Sequence, residues 1–375
     1  MNKSKFIIGI LIIFYLALII ESQFLYPVSG AIKFTPYLQA VTANSVYVLV
    51  ETDSEKSVTV EYGILSEFDH RITTQKTEAT TASPKTYVHK VKISNLMANT
   101  LYQYRIVYNK EYTQVHTFWT AAEPGTPFRF AWMADCRSGK NIHDQIAERI
   151  TNAQPRFSIY GGDLCHNDSY QAFKDEFFRP NELGLIANVP FFNTVGNHEK
   201  WAQNTKAFTE GLDSASKDQG FYSFDYGDLH VLLLNSMDKS GFSVNSEYRF
   251  ADRDLQASIK KWKIVVCHIP AYCAGGHGED ELMKKFTREI FEPNKVDMVI
   301  SGHSHFYQHN FVNGIHHMII GSAGAKLATP ETASYTLKSV KDYNYALVDV
   351  SPASFNMTVY NNQGIILDKI QLMKP

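Results

Sequence analysis

Phe157–Asn167 reads FSIYGGDLCHN: a short β-prone apolar run, a glycine pair, then a carboxylate. The run lacks polar alternation, which is how a strand buried on both faces of a sheet reads. The glycines let the chain turn sharply, so Asp163 is delivered at the strand's tip. The same grammar recurs along the chain. Phe128–Gly139 (FRFAWMADCRSG) carries Asp135, and Val189–Glu199 (VPFFNTVGNHE) carries Asn197 and His198. Trp262–Pro270 (WKIVVCHIP) carries His268, and Val296–Tyr307 (VDMVISGHSHFY) carries His303 and His305. A hydrophobic core has no use for Asp, Asn or His at successive strand tips, because an unpaired buried polar group costs free energy. Carboxylates, imidazoles and an amide oxygen gathered in this way suit two divalent ions held side by side. The residues alone therefore point to a two-metal hydrolase.

Helix-like stretches separate these strands: Ile142–Thr151, Gln171–Ile186, Asp254–Lys261 and Glu279–Phe291. The last contains Asp280 and Lys284 four apart, the spacing of a helical ion pair. A hairpin at Gly220–Asn235 turns at Gly227-Asp228, and strands return at Met318–Ile320, Ala346–Val350, Phe355–Tyr360 and Ile365–Leu372. Strand–helix alternation predicts an α/β domain over residues 126–375, with two mixed sheets between flanking helices and ligands at the strands' carboxyl ends. Upstream, Ser45–Glu51, Ser57–Tyr62, Tyr87–Ile93 and Tyr102–Val107 alternate with polar turns, predicting an all-β sandwich over residues 31–122. Tyr102 in Leu96–Tyr104 (LMANTLYQY) resembles the tyrosine corner of fibronectin type III domains. Ala121–Pro127 (AAEPGTP) reads as the linker.

A chain of 375 residues suits two domains. Lys+Arg 36 against Asp+Glu 38 leaves no excess of cations for counterion release, so no nucleic-acid-binding surface is expected. Cys136, Cys165, Cys267 and Cys273 show no CxxC spacing and read as buried thiols behind the strand tips, with a Cys136–Cys165 bridge as the alternative. Residues 1–30 read as a targeting segment. Lys3 and Lys5 precede the apolar stretch Phe6–Ile20, which is shorter than the ~20 residues of a bilayer span. Val28-Ser29-Gly30 before Ala31 suits cleavage, so the segment is a signal peptide or a retained membrane anchor. Either places the rest outside the cytoplasm: secreted, periplasmic or anchored at the cell surface.

Taken together, GDLC, GNHE and GHSH in that order resemble the calcineurin-like metallophosphoesterases. The two-domain layout resembles the purple acid phosphatase branch, in which a fibronectin-like sandwich precedes an αββα metallophosphoesterase sandwich. Thr35–Gln39 (TPYLQ), Tyr222–Gly227 (YSFDYG) and Asn361–Gly364 (NNQG) extend the likeness beyond the ligands. The resemblance implies that Asp163 bridges both ions, that Asp135 and His305 complete the first site, and that Asn197, His268 and His303 complete the second. It implies that His198 faces the scissile phosphate as hydrogen-bond donor or general acid. It also implies in-line attack on phosphorus by a metal-activated water or hydroxide, with no covalent enzyme intermediate.

Two positions depart from that pattern. Purple enzymes have a Tyr ligand three residues after the bridging Asp, where this chain has His166. The expectation is that His166 fills the place as a ligand, with an exposed loop residue as the alternative. Other branches place a His two residues after the first Asp, where this chain has Arg137. Arg137 is assigned to the substrate phosphate, with a salt bridge that orients a ligand as the alternative. His277 and His309 are read as solvated loop residues that could instead reach the phosphate. The imidazole content favours Fe, Zn or Mn over Mg or Ca. The expected activity is phosphomonoester hydrolysis of a small molecule. The alternatives are a phosphodiesterase acting on nucleotides or envelope phosphodiesters, and a catalytically degenerate surface-binding protein.

Overall fold

The computed structural model describes residues 32–64, 67–211, 220–237, 239 and 241–374. Residues 1–30, read above as a targeting segment, lie outside them. Among the described residues no helix is long and apolar enough to cross a membrane.

Apolar runs without alternation form the central strands. Phe128–Met133, Phe157–Tyr160 and Phe191–Asn193 pair in parallel, with Phe130 opposite Phe157 and Tyr160 opposite Asn193. Trp262–Cys267 and Met298–Ser301 pair in parallel in a second sheet, between Leu229–Leu233 and Ile315–Ile320. Antiparallel strands complete both sheets, so each is mixed: Tyr345–Val350 lies beside Phe128–Met133, and Tyr222–Tyr226 beside Leu229–Leu233. That hairpin turns at Gly227, whose φ of +55° is easy for a residue without Cβ.

The sheets face each other across an aromatic core. Phe130 stacks on Phe157 at 5.1 Å, Phe192 on Phe224 at 3.7 Å, and Phe157 meets Phe224 edge-on at 5.7 Å. Trp132, wholly buried, crosses between sheets and donates from Nε1 to the Ile320 carbonyl at 3.0 Å. The strands ahead of Asp135, Asp163, His268 and His303 are thus each paired on both sides.

Residues 37–119 are all β, as expected, but they do not close into a body separate from the two sheets just described. Tyr37–Gln39 pairs in parallel with Phe191–Asn193, Gln39 facing Phe191. Ser45–Thr52, Tyr87–Ser94 and Lys76–Ala79 follow in order, so one sheet of ten strands runs from the C-terminal strand Ile366–Met373 into the N-terminal region. A smaller sheet built on Thr59–Ile64 and Leu101–Tyr108 completes the N-terminal sandwich. The Tyr102 hydroxyl accepts from the Met97 amide at 3.0 Å, the corner contact that the sequence suggests.

Three helical expectations change in detail. Gln171–Ile186 is interrupted: helical residues end at Phe177 and helix Pro180–Ile186 starts afresh. Arg179 is extended (ψ 160°), because a residue before proline is pushed out of the helical region. Of Asp254–Lys261 only Asp254–Ala257 is helical, as the tail of the longer helix Gly241–Ala257. Asp280 does not pair with Lys284: it caps helix Glu281–Phe286 by accepting from the Met283 amide, while Lys284 pairs with Glu279 and Glu281. A carboxylate turned back onto its own helix start is aimed away from position i+4.

Phe157 is fully buried at the junction of both sheets. Phe157→Ala is expected to lower the unfolding free energy by about 3–5 kcal/mol, read as a lower urea midpoint at an unchanged slope.

Candidate active site

The ligand-type residues sit where strands stop. Asp135 follows Phe128–Met133, Asp163 follows Phe157–Tyr160, and Asn197 and His198 follow Phe191–Asn193. His268 follows Trp262–Cys267 directly, and His303 and His305 follow Met298–Ser301. Asp135, Asp163 and His303 have positive φ of 57°, 54° and 68°. Left-handed backbone at residues with a Cβ costs of order 1 kcal/mol or more each, and here it turns three side chains towards one point. The glycines of the GN and GH phrases are explained by close approach. A Cβ on Gly196 would strike the Asp163 carboxylate, and one on Gly302 the Asp135 carboxylate.

All six residues implied as ligands lie together. The ligand atoms of Asp135, Asp163 and His305 fall within 4.8 Å of one another. Around the other side of Asp163, Oδ1 is 3.4 Å from His268 Nε2, and that nitrogen is 3.1 Å from Asn197 Oδ1. The His268 and His303 rings are 5.0 Å apart. Asp135 Oδ1 is buried without a hydrogen-bond partner among the described residues and meets His305 Nε2 at 3.4 Å. Carbonyls orient two imidazoles: Gly161 O lies 2.7 Å from His268 Nδ1, and Lys326 O lies 2.9 Å from His305 Nδ1. Each carbonyl accepts a hydrogen bond from Nδ1–H and so leaves Nε2 as the ligand atom.

Electrostatics follow from burial of two carboxylates at this point. Burial raises the Asp163 carboxyl, but the neighbouring His268 and His198, the His198 amide and Arg137 more than offset it and hold it below its usual range. Burial works against protonated His268, yet the charges of Asp163 and Asp135 raise it. His303 is pushed down to about 3 by burial and by His268 and His277, so its ring stays neutral. A donor set with an orphaned carboxylate oxygen and imidazoles presenting Nε2 fits divalent transition ions.

The remaining predicted residues occupy different positions. His198 donates its backbone amide to Asp163 Oδ1 at 3.1 Å, and its Nδ1 lies 2.8 Å from the His166 carbonyl. His198 Nε2 is 3.7 Å from Asp163 Oδ2. The His166 ring is exposed, 5.2 Å from the His198 ring, and outside the Asp135–Asp163–His305 group. Arg137 donates from Nε to Asp163 Oδ2 at 3.1 Å and brings Nη2 to 3.4 Å from His305 Nε2. All four cysteines are free, buried thiols, so Cys136 and Cys165 are not bridged.

Two residues enter the site beyond those implied as ligands: Glu199, which the sequence reading passed over, and His277, read as a solvated loop residue with the phosphate as the alternative. Glu199 is buried, and its Oε1 accepts from the amides of Asp163 and Gly196 at 3.0 and 2.9 Å. It ties the GD loop to the GN loop. Its signal was its place in the GNHE phrase. His277 is exposed, as read, but its ring stacks on His303 at 4.2 Å and meets His305 edge-on at 6.1 Å. Nothing in its glycine-rich surroundings announces that. His309, by contrast, is neither solvated nor at the site: it is buried on Tyr307–Val312 against Asp368 and His316.

Residues 128–307 match the calcineurin-like phosphoesterase family, a span that includes every residue from Asp135 to His305. This chain carries a calcineurin-like phosphoesterase domain. Purple acid phosphatase 22 of Arabidopsis thaliana is 29% identical over 239 residues, covering 59% of this chain and 53% of that protein. The chain thus spans about half the length of that relative. A longer match, 22% over 359 residues and 77% of this chain, is to a protein of Arabidopsis thaliana named probable inactive purple acid phosphatase 1, of which it covers 58%. Among solved structures, the purple acid phosphatase PPD1 of yellow lupin (Lupinus luteus) superposes with a TM-score of 0.75 at 16% identity, covering 90% of this chain and 74% of that one. That likeness extends through the N-terminal sandwich as well as the phosphoesterase domain, and it establishes the fold.

In the metal-free phosphoesterase domain, burial and the Asp163 charge push Glu199 up to about 8. A carboxyl raised in the folded state makes a contribution that is complete below its unfolded value, ~4.3, and is lost as pH rises through the folded value. The urea midpoint of metal-free protein is therefore expected to fall between pH 6 and pH 9. Glu199→Gln, which keeps the acceptor oxygen without the charge, should flatten that fall.

Proposed function

We propose that this chain is a dinuclear phosphoester hydrolase acting on small phosphomonoesters. The observation that carries this reading is the placing of Asp163. Its carboxylate groups with Asp135 and His305 on one side and turns Oδ1 to His268 beside Asn197 on the other. Asp163 would be shared, with Asp135 and His305 holding one ion and Asn197, His268 and His303 the other. Fe, Zn or Mn suits this imidazole-rich set better than Mg or Ca. When bound, such an ion pair supplies the Lewis acidity that makes hydroxide available near neutral pH and offsets charge on the phosphate oxygens.

The chain's own groups do the rest. His198 is held by its amide on Asp163 and by the His166 carbonyl on Nδ1. That carbonyl accepts from Nδ1–H, so Nε2 donates to a phosphate oxygen or to the leaving alkoxide from the doubly protonated ring. Arg137 steadies Asp163 through Nε and has guanidinium hydrogens left for phosphate. His277, stacked beside His303, sits where a departing group could receive a hydrogen bond. His166 has its amide on Glu176 and its ring beside His198, which supports a substrate-side or supporting role over a ligand role. The apolar segment Phe6–Ile20 after Lys3 and Lys5 supports an extracytoplasmic location, and the corner contact of Tyr102 supports a fibronectin-like N-terminal domain over residues 31–122.

Protein purified without chelator is expected to hold about two transition-metal ions per chain by elemental analysis, with no visible tyrosinate–iron band. It should hydrolyse p-nitrophenyl phosphate faster than bis-p-nitrophenyl phosphate and lose that activity on chelation. The reverse substrate order would make it a diesterase, and no turnover with any metal would leave a binding protein. His198→Ala is expected to lower kcat about 10²–10⁴-fold with metal content unchanged. Asp163→Asn should lose metal as well as rate.

A further inference from the structure

Helix Gln203–Phe208 begins shortly after His198 and has no cap of its own. Its N-cap residue is Ala202, which offers no side-chain acceptor to the first turn. Asp168, from the loop that also carries Asp163, supplies the acceptors instead. Its Oδ2 accepts from the Asn204 amide at 2.9 Å, and its Oδ1 from the Thr205 amide and hydroxyl at 2.7 Å each. The far end is held by the sandwich. Lys90, only 2% exposed, donates from Nζ to the carbonyls of Lys206 and Thr209 at 2.7 Å each and pairs with Glu210 at 3.2 Å. A carboxylate at the start and an ammonium at the end match the helix dipole. Thr81 donates to Asn204 Oδ1 at 2.9 Å, and the Tyr37 hydroxyl to the Phe208 carbonyl at 2.8 Å.

The geometry closes a ring. Two residues before Asp168, the His166 carbonyl holds the His198 ring; Asp168 itself holds the chain that leaves His198. We propose that Asp168 is a positioning residue for His198, and that the sandwich, through Lys90, Thr81 and Tyr37, anchors the helix against which Asp168 works. The N-terminal domain is then a structural part of the hydrolytic site. This rests on the phosphoesterase reading only for its effect on rate; the restraint on the His198 loop stands independently.

Asp168→Asn in the full chain tests it, because the amide removes one acceptor and the charge at a partly exposed side chain. Hydrogen–deuterium exchange of residues 194–200 is expected to rise at least about fivefold while strand Trp262–Cys267 stays as in wild type. A rise confined to residues 203–210 overturns the proposal. With p-nitrophenyl phosphate and constant metal content, kcat should fall about tenfold with KM within about twofold. In a His198→Ala background the same change should cost less than about twofold, since coupled residues are not additive; an equal fall in both backgrounds also overturns it. A wild-type protein inactive on every phosphoester would remove the phosphoesterase reading, and the exchange comparison would still decide this one.

Discussion

Asp135 and Asp163 are essentially unexposed, and their carboxylates meet where strands from two facing sheets end. Two negative charges out of water are costly unless positive partners surround them. The fold supplies partial answers: the His198 and His303 amides, the Arg137 guanidinium, and the rings of His268 and His305. One oxygen of Asp135 still lacks a hydrogen bond among the described residues. The remaining deficit is what a pair of cations would remove. Charge neutralisation therefore organises the loops, the glycines that allow close approach and the left-handed residues at the tips.

The aromatic core has a part in this. Strained loops persist only where their ends are fixed, and the stacked rings of Phe130, Phe157, Phe192 and Phe224 pin the strands that feed Asp135, Asp163 and Asn197. Glu199 then links two of those loops through backbone amides rather than through the ligands themselves. Rigidity is delivered in layers, from core to strand to loop to side chain.

The N-terminal sandwich is continuous with this arrangement. It extends the ligand-bearing sheet through the Gln39–Phe191 pairing and grips the chain beyond His198 with a buried lysine. A domain attached only by a flexible linker would share neither a sheet nor a buried ion pair with its neighbour. That difference turns an appendage into a support.

The sequence determined which ligand-type residues stand at the strand ends, because strand tips have a local signature. An unbroken apolar run followed by Gly and Asp, Asn or His can be read without knowing what faces it, and so Asp135, Asp163, Asn197, His268, His303 and His305 were legible one by one. The helix break before Pro180 and the corner at Tyr102 were local too, although only the second was read. Tertiary structure decided what depends on neighbours distant in the chain. The stacking of His277 on His303 joins two loops, and the burial of His309 depends on Asp368 from the C-terminal strand. Lys90 looks like any strand lysine until the helix carbonyls of Lys206 and Thr209 are placed over it. Local propensity acts along the chain, whereas burial and partner identity are set across it, and the functional roles of these residues belong to the second kind.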